Sequence, residues 1–441
     1  MSSAEITARM REDWNARARE DAGYYVAFGQ RDQDDAGFFA TAIDVLRALE
    51  TELRRIPPSQ CAQGKALEIG CGPGRLMRPM SRYFREIHGV DVSDEMIALA
   101  REKLRDVPNA FPRVSSGAGL EELADDSFDF VYSYAVFQHI PSREVVYQYM
   151  REIRRVLKMG GLARLQFNGL MPETIPQSAY NTWAGARFSA AEILEFTKAN
   201  DFQVYVLEGV ATQYMSTTWH KQPGGWQERQ RRWYPAEPAK IRRITNASST
   251  EPLAPGAGPF ASISILAENL PDEVGLHHFG VAVGGSFGTV TSIGALDPTG
   301  FQEVKVLLPE GTPAGLIPLE LRWLDRRLCA PATLRVIPAG PLVPRIESIT
   351  DGVNLISKNR IENRLVKITL EEIARPDEIR AFVDGLRALE LAYFCVDPRR
   401  RRYEVNFRLP DSVGSGNCAI EVFIGKRKLA PVSVEVVASA Y

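Results

Sequence analysis

The sequence predicts an α/β fold in its first half and all-β domains in its second half. In the first half, the apolar run 66–69 leads into a glycine cluster at 70–74, and a second apolar run, 87–90, ends at Asp91. Short apolar runs that end in glycines or acids are typical of buried strands followed by loops. In the second half, short alternating runs rich in β-branched residues predominate, and these indicate sandwich-like sheets.

Length and composition favour several domains and argue against some classes of function. The 441 residues are too many for one ordinary domain, so about two or three are expected. The 53 Lys and Arg residues nearly balance the 55 Asp and Glu residues, so a general nucleic-acid-binding surface is not indicated. No stretch approaches the roughly 18 consecutive apolar residues of a membrane span, and the N-terminus lacks the apolar core of a signal peptide. We therefore expect a cytoplasmic protein with neither a nucleic-acid partner nor a membrane span.

The cysteines and histidines form no metal-binding pattern. The five cysteines, at positions 61, 71, 329, 395 and 418, are odd in number and contain no C-x-x-C pair, which predicts reduced thiols. His277 and His278 are adjacent on a predicted strand, so their side chains would point to opposite faces. We therefore predict no metal.

The glycine cluster and the acid that follows it predict a nucleoside-binding site. Gly70, Gly72 and Gly74 let the backbone adopt positive φ and approach a ligand closely. Asp91 lies 21 residues beyond Gly70 (91 − 70), which is close to the spacing at which a carboxylate binds ribose hydroxyls. Dinucleotide enzymes use G-x-G-x-x-G and place a pyrophosphate at a helix N-terminus, whereas here G-x-G-x-G follows the acid Glu68. The spacing therefore disfavours a nucleotide-dependent dehydrogenase.

This segment resembles the first motif of the class I S-adenosylmethionine-dependent methyltransferases, acid-x-G-x-G-x-G. Residues 125–131 are similar to the family's D-x-S-F-D-x-V segment, and residues 157–161 are similar to its L-K-x-G-G reversal. The resemblance covers about half of the chain, residues 1–222. It implies a Rossmann-like domain with a seven-stranded sheet and S-adenosylmethionine as the cofactor.

The resemblance also implies which residues contact the cofactor. Glu68 would orient the methionine end, the glycine loop would cradle it, and Asp91 would bind the ribose. The family commonly has Asp or Asn after the third strand, which is expected here at 113–116, but the matching residue is Ala118. Only backbone N–H groups could therefore bond the adenine there. The expected cofactor-binding set is Glu68, Gly70, Cys71, Gly72, Gly74, Asp91, Val92, Met96, Ala118 and Gly119.

Residues 1–60 are predicted to be helical, and Pro57 and Pro58 end this extension. In methyltransferases that resemble this chain, such an extension folds over the cofactor and the substrate. The aromatic residues of the extension are candidate lid residues that contact substrate, although they could equally pack the extension against the domain. These residues are Trp14, Tyr24, Tyr25 and Phe28.

Gln138 and His139 follow the fourth predicted strand, where ligands bind in open α/β sheets. Gln138 is a candidate substrate contact. His139 is the candidate general base, because its pKa is ordinarily near neutrality and a hydroxyl acceptor must lose a proton. A purely structural hydrogen-bonding role for His139 stays open. The segment 168–187 either shapes a substrate pocket or is a surface loop.

The second half contains an internal repeat. Residues 303–310 align with 404–411 at an offset of 101, and the motif I-x-x-I-T starts at both 241 and 346. Two copies of about 100 residues built of short strands predict tandem β-sandwiches, and they resemble TIG-type immunoglobulin-like domains. The expected domains are the extension 1–60, the methyltransferase domain 61–222, a linker 223–238, and repeats 239–340 and 341–441.

The chain is thus predicted to be a methyltransferase that acts on a small-molecule or saccharide acceptor. Its sandwiches would bind a partner or substrate, or mediate association. The alternative is a non-catalytic S-adenosylmethionine-binding protein whose function lies in the repeats. Ala118 favours that alternative, whereas the intact Glu68, glycine loop and Asp91 argue against it. The residues do not identify the acceptor, the atom methylated or the oligomeric state.

Overall fold

The computed structural model describes residues 2–27, 33–170, 182, 185–229, 238–353 and 357–437. The chain divides into two compact units, Met1–Leu170 with Ser178–Ala339, and Met171–Gln177 with Gly340–Tyr441. Of residues 223–238, which were expected to be a linker, the described ones, 223–229 and 238, belong to the first unit. Within them, Trp226 and Gln227 are buried on a short helix.

The helices of the first unit alternate with strands after an all-helical start. The kink in the first helix is at Asp21, which has extended backbone angles and whose side chain accepts a hydrogen bond from the N–H of Tyr24. None of the described helices is both long and apolar enough to cross a membrane. The helices are α1 (Ser3–Ala27), α2 (Asp35–Ala40), α3 (Ile43–Leu53), α4 (Pro58–Gln63), α5 (Met77–Met80), α6 (Asp94–Lys103), α7 (Arg143–Val156), α8 (Ala190–Ala199) and α9 (Trp226–Arg229).

The first seven strands are neighbours in the order β3-β2-β1-β4-β5-β7-β6. Strands β1 to β5 run parallel where they pair, and β7 is antiparallel to both β5 and β6. Apolar cores lie on both faces of this sheet, as expected for parallel strands covered by helices. These strands are β1 (Lys65–Ile69), β2 (Glu86–Asp91), β3 (Ala110–Val114), β4 (Phe128–Tyr132), β5 (Leu157–Phe167), β6 (Phe202–Glu208) and β7 (Met215–Lys221).

The third strand was expected at 113–116, but it lies three residues earlier, at Ala110–Val114, and it contains Pro112. Proline is tolerated there because β3 is the edge strand of the sheet, so Pro112 removes no hydrogen bond that a central strand would need. The sequence prediction began the strand after the proline and so placed it too late.

The sheet does not end at β6, although seven strands were expected. It continues into the first repeat, because β12 (Ser286–Ile293) pairs antiparallel with β6 at Ser292 and Val206. The repeat region of the first unit has its own apolar core. Its other strands are β8 (Lys240–Asn246), β9 (Leu253–Pro255), β10 (Ser262–Glu268), β11 (Phe279–Val283), β13 (Phe301–Leu307), β14 (Gly315–Trp323), β15 (Arg326–Arg327) and β16 (Ala332–Ile337).

The second unit contains two sheets that share one apolar core, in the orders β17-β19-β23-β22 and β18-β26-β24-β20-β21. Its β23 and β24 begin and end 101 residues after β13 and β14, as the sequence offset predicts. Its strands are β17 (Arg345–Asp351), β18 (Arg360–Ile361), β19 (Leu365–Glu371), β20 (Ile379–Val383), β21 (Leu386–Arg387), β22 (Leu389–Asp397), β23 (Arg402–Arg408), β24 (Gly416–Ile424), β25 (Arg427–Lys428) and β26 (Val432–Val436).

The polar residue that follows each I-x-x-I-T motif is structural. The buried Asp351 side chain accepts hydrogen bonds from the N–H groups of Val353, Glu362 and Asn363. Asn246, at the matching place in the first repeat, accepts from the N–H of Ser248. Because a buried polar group must be paired, each residue ends the first strand of its repeat by ordering the turn that follows.

Candidate functional site

The main candidate site is a cavity at the carboxyl ends of β1, β2 and β4, where ligands bind in open α/β sheets. The cavity is partly open to solvent, and the space within it, open solvent included, is about 920 Å³. Its lining includes most of the predicted cofactor set: Glu68, Gly70, Cys71, Gly72, Asp91, Val92 and Met96. The structure therefore brings together predicted residues from two separate segments of the sequence, 68–72 and 91–96.

The glycine loop forms one wall of the cavity, and its backbone has positive φ at all three glycines. Gly70 has a φ of +71°, and a Cβ there would lie 2.3 Å from a side-chain carbon of Val136. Gly72 has a φ of +51°, and a Cβ there would be in ordinary van der Waals contact with Val26, 3.4 Å away. Gly74 does not line the cavity. A Cβ at Gly74 would meet Leu104, so this glycine lets the loop pack against the residue that ends α6.

Asp91 is held by the backbone with its carboxylate at the cavity wall. Its Oδ2 accepts a hydrogen bond from the N–H of Gly72 at 2.9 Å, and its Oδ1 accepts one from Ser93 at 2.9 Å. Burial raises the pKa of Asp91, and the N–H donors oppose this shift. Each carboxylate oxygen keeps a further acceptor position, so the pair of oxygens can receive two hydroxyl groups.

Glu68 is 4% exposed and lies at the end of β1. Burial raises its pKa from 4.5 to about 8, although the 2.9 Å hydrogen bond from the Tyr132 hydroxyl and the charge of Arg75 both lower it. Glu68 is therefore mostly protonated at neutral pH in this structure. A cationic group that enters the cavity would favour the ionised carboxylate.

Arg75 is a cavity residue that the sequence prediction missed. It is 7% exposed, and burial lowers its pKa. Its Nη1 donates to the Thr41 carbonyl at 3.1 Å, and its Nε makes no hydrogen bond within the described part of the chain. The negative charge of Glu68 opposes this effect of burial on the pKa of Arg75. The sequence signal that could have identified Arg75 is its position directly after the glycine loop. An arginine that is buried at such a place requires an anionic partner.

The far side of the cavity is formed after β2 and β3. Val92 and Met96 line it, and Met96 also packs on Ala18 and Ala22 of α1. Of residues 117–119 after β3, Gly117 lines the cavity, whereas Ala118 and Gly119 do not.

The N–H of Ala118 is used internally, because it donates to the Ser116 hydroxyl at 3.2 Å. Ser115 and Tyr149 also line this side, and the sequence prediction missed both. Their side chains are hydrogen-bonded to each other.

Helix α1 covers the cavity. Arg11 donates to the carbonyl groups of Val92 and Ser115, which anchors α1 on the loops after β2 and β3. Trp14 and Tyr25 line the cavity. Tyr24 is buried against Tyr25 but does not line it. Phe28 lies outside the described residues, as does most of the segment 168–187.

His139 lines the cavity near Trp14, whose ring meets the imidazole edge-on at 5.6 Å between centroids. The Nδ1 of His139 is 3.0 Å from the Thr182 carbonyl, which only accepts, so Nδ1 carries the proton. Nε2 is then the basic nitrogen, and the Gln138 amide lies 3.3 Å from it. Gln138 is buried beside His139 but does not line the cavity.

Among the described residues, no group of three or more His, Cys, Asp or Glu side chains could hold a metal ion. The thiol of Cys71 is buried in the cavity wall, where burial raises its pKa well above the ordinary value. The ionisable groups of the cavity lining are thus two acids, an arginine, a histidine, three tyrosines and a thiol.

Comparison with known proteins adds direct evidence on the family. Residues 67–165 match the family model of a methyltransferase domain. The chain is 33% identical over 105 residues to phosphoethanolamine N-methyltransferase 2 of Caenorhabditis elegans, which covers 23% of each chain. It is 32% identical over 102 residues to a ubiquinone biosynthesis O-methyltransferase of Rhizobium etli, which covers 22% of this chain and 38% of the relative. The chain thus spans less than half of the length of these relatives.

Two solved structures show a partial likeness. A complex of DhpI with SAH has a TM-score of 0.37 and 20% identity, over 50% of this chain and all of that one. A Haemonchus contortus phosphoethanolamine N-methyltransferase 1, in complex with phosphoethanolamine and S-adenosylhomocysteine, has a TM-score of 0.39 and 16% identity, over 53% and 56% of the chains. The match to the methyltransferase-domain family model thus places this likeness in residues 67–165.

Proposed function

We propose that this protein transfers a methyl group from S-adenosylmethionine to a small-molecule or saccharide acceptor. The proposal rests on one observation, which is that the glycine loop, Glu68 and Asp91 lie in the same wall of the cavity. The family match over residues 67–165 supports it. When bound, the cofactor supplies a methyl group that is already activated on a sulfonium. The protein therefore has to position and polarise the reactants rather than activate the methyl group.

The described residues fit a nucleoside that carries an amino acid. The two carboxylate oxygens of Asp91 would receive the ribose hydroxyls. Glu68 would pair with the ammonium, and Arg75 would bind the carboxylate with its unpaired Nε. A buried acid and a buried arginine, which act on each other's charge, match the two opposite charges of an amino acid.

The adenine would lie between Val92, Met96 and Gly117. The lack of an Asp or Asn at Ala118 then argues little against cofactor binding, because Gly117, and not Ala118, lines this side of the cavity. The adenine amino group would have to bond elsewhere in the cavity wall. This removes the main reason to prefer a non-catalytic binding protein.

His139 is proposed as the general base for a hydroxyl acceptor. The Thr182 carbonyl holds the imidazole in the tautomer whose Nε2 can accept a proton. The Trp14 edge contact and burial restrict the ring further. A base in a fixed orientation near the reacting hydroxyl assists transfer to oxygen, whereas a neutral amine acceptor would not need one.

The repeats are proposed to be immunoglobulin-like sandwiches that bind a partner or substrate. The shared core of the two sheets in the second unit and the matched strand spacing support this assignment. The tight join between β6 and β12 supports a role of the first repeat in bracing the methyltransferase sheet.

Calorimetric titration of S-adenosylmethionine and S-adenosylhomocysteine into the full chain tests the cofactor. Wild type should bind both, and Asp91→Ala should lose most of the affinity because the ribose acid is gone. Asp94→Ala is the matched control, since Asp94 is an exposed acid three residues away that does not line the cavity. If wild type binds neither ligand while circular dichroism shows a folded protein, the proposal is wrong.

A screen with methyl-labelled cofactor against hydroxyl-bearing small molecules and sugars then tests catalysis. Transfer to any of them that requires Asp91 supports an enzyme. Cofactor binding without transfer to any acceptor would favour the alternative of a non-catalytic S-adenosylmethionine-binding protein.

A further inference from the structure

Thr182 lies next to the candidate base and bonds to its ring. The carbonyl oxygen of Thr182 is 3.0 Å from the Nδ1 of His139, and the residue is 3% exposed. A neutral imidazole carries its proton on only one ring nitrogen, so a carbonyl that is held at Nδ1 keeps the proton there and off Nε2. The groups that hold Thr182 in place therefore help to decide which nitrogen of His139 is basic.

Two charged residues of α1 hold the side chain of Thr182. The Nη2 of Arg17 donates a hydrogen bond to the Thr182 hydroxyl at 2.9 Å, and that hydroxyl donates to the Oδ2 of Asp13 at 3.0 Å. The single hydroxyl proton is thus used on Asp13, and a lone pair of the same oxygen is used by Arg17. Hydrogen bonds to ionised groups are stronger than neutral ones, so these two contacts restrict the rotation of the Thr182 side chain.

Arg17 also contacts another neighbour of the imidazole. Its guanidinium carbon lies 4.7 Å from the centroid of the Trp14 ring, and the Trp14 ring meets the His139 ring edge-on at 5.6 Å between centroids. Trp14 and His139 line the cavity, whereas Arg17 does not. Arg17 therefore contacts two of the groups that surround the His139 ring, Thr182 and Trp14.

The chain just after Thr182 is bound to the backbone around the candidate base. The N–H of Gly185 donates to the Gln138 carbonyl, and the N–H of Ala186 donates to the Ile140 carbonyl, both at 2.7 Å. A Cβ at Gly185 would lie 2.6 Å from the Ile140 carbonyl oxygen, so this close approach requires glycine. These bonds bring the segment to the base, and the contacts of the Thr182 hydroxyl with α1 restrain Thr182 itself.

We propose that Asp13 and Arg17 are positioning residues for His139. Through the Thr182 hydroxyl they hold the carbonyl that keeps the proton on Nδ1, and so they keep Nε2 as the nitrogen that accepts the proton of a hydroxyl acceptor. Helix α1 then has two roles, because it covers the cavity and also sets the tautomer of the base. This role depends on the proposed function, in which His139 is the general base.

Nuclear magnetic resonance of the full chain, with nitrogen-15 in its histidine rings, tests this role without cofactor or acceptor. The His139 signals are identified by their loss in His139→Gln, in buffer at about pH 8.5, which is well above the ordinary pKa of histidine. In wild type, Nδ1 should carry the proton. Thr182→Val keeps the shape of the side chain but removes the hydroxyl. It should lower the ratio of Nδ1-protonated to Nε2-protonated His139 about threefold or more, which is the effect of one hydrogen bond of modest net strength. Thr182→Ser keeps the hydroxyl and should restore the wild-type ratio.

The residues of α1 are tested with matched pairs of variants. Asp13→Ala and Arg17→Met should each lower the same ratio about threefold or more. Glu12→Ala and Arg19→Met are the controls, and both should leave the ratio at its wild-type value. Glu12 is an exposed acid next to Asp13, and Arg19 is an exposed arginine of the same helix that bonds to Glu95 of α6.

Four results would each overturn the proposal. These are a wild type with the proton on Nε2, an unchanged ratio in Thr182→Val, a ratio that Thr182→Ser fails to restore, and an equal fall in Arg17→Met and Arg19→Met. In the last case the seating of α1, and not its contact with Thr182, would set the tautomer. Thermal unfolding shows whether each variant is folded. Calorimetry with S-adenosylhomocysteine is a separate readout, because a wild type that does not bind it refutes the proposed function and not the tautomer result.

Discussion

The protonation of Glu68 makes cofactor binding depend on pH in a direction that can be worked out in advance. Burial raises the pKa of this carboxyl to about 8, so at pH 7 about nine tenths of the unliganded molecules hold a proton on it. If the ionised form pairs with the ligand ammonium, binding must release that proton. Between pH 6 and pH 7 the ionised fraction rises about ninefold, so the affinity should rise about ninefold, or about 1.3 kcal/mol.

The assay is calorimetric titration of S-adenosylhomocysteine at pH 6 and pH 7, in buffers with different ionisation enthalpies. Wild type should release about nine tenths of a proton per ligand from this group at pH 7. Glu68→Gln keeps the shape of the side chain but cannot ionise, so its affinity should not rise over this range. An affinity of wild type that stays constant with pH, or a slope that Glu68→Gln retains, would refute the pairing of Glu68 with the ammonium.

The same raised pKa has the opposite effect on the unliganded protein. The folded chain holds a proton on Glu68 that the unfolded chain releases above its ordinary pKa of 4.5. The stabilisation is fully present below pH 4.5, and it is lost as the pH rises through about 8. The free energy of unfolding of Glu68→Gln, from urea denaturation, should therefore fall less than that of wild type between pH 5 and pH 8.

Three further variants test the other parts of the site. Arg75→Met should weaken S-adenosylmethionine binding by about 30-fold or more in calorimetry, because a buried charge loses its partner, while 5′-methylthioadenosine, which has no amino acid, should bind both proteins equally. A loss with both ligands would contradict the assignment. Gly70→Ala should lower the melting temperature more than Gly285→Ala, because both have positive φ but only Gly70 would clash, with Val136 at 2.3 Å. Equal losses in scanning calorimetry would count against that clash. His139→Gln should lower kcat by about 10²-fold or more on a hydroxyl acceptor, with cofactor affinity unchanged, and an unaltered kcat would exclude the general base.

Much of the candidate cofactor-binding wall could be predicted from the sequence, because the residues that indicate it lie close together in the chain. The turn after β1 has positive φ at alternate positions, 70, 72 and 74, and only glycine adopts these angles at low cost, so the loop appears directly as G-x-G-x-G. Asp91 ends the next strand, so its distance along the chain reflects the length of one strand–loop–strand unit. The family match at residues 67–165 confirms the methyltransferase resemblance on this segment.

The less regular parts of the site could not be placed in this way. Nothing near Ala118 in the sequence shows that Gly117 turns into the cavity while the N–H of Ala118 bonds to Ser116. Tyr24 and Tyr25 are adjacent and chemically alike, but the helix turns only Tyr25 toward the cavity. Successive residues of a helix point about 100° apart, so the orientation of the helix decides which of two neighbours faces the cavity. A composition pattern does not reveal that orientation.

The sequence by itself determined the glycine loop, the acid 21 residues beyond it, and the 101-residue spacing of the repeats, because each follows from neighbouring residues or from a constant offset. Only the tertiary structure decided that Arg75 is buried with an Nε that has no hydrogen-bond partner among the described residues, that burial raises the pKa of Glu68, and that β6 continues into β12. Burial and strand pairing depend on segments far apart in the chain, as in the join of Val206 with Ser292. The physical reason is that desolvation and sheet hydrogen bonds are set by which surfaces meet, and a linear pattern does not specify that meeting.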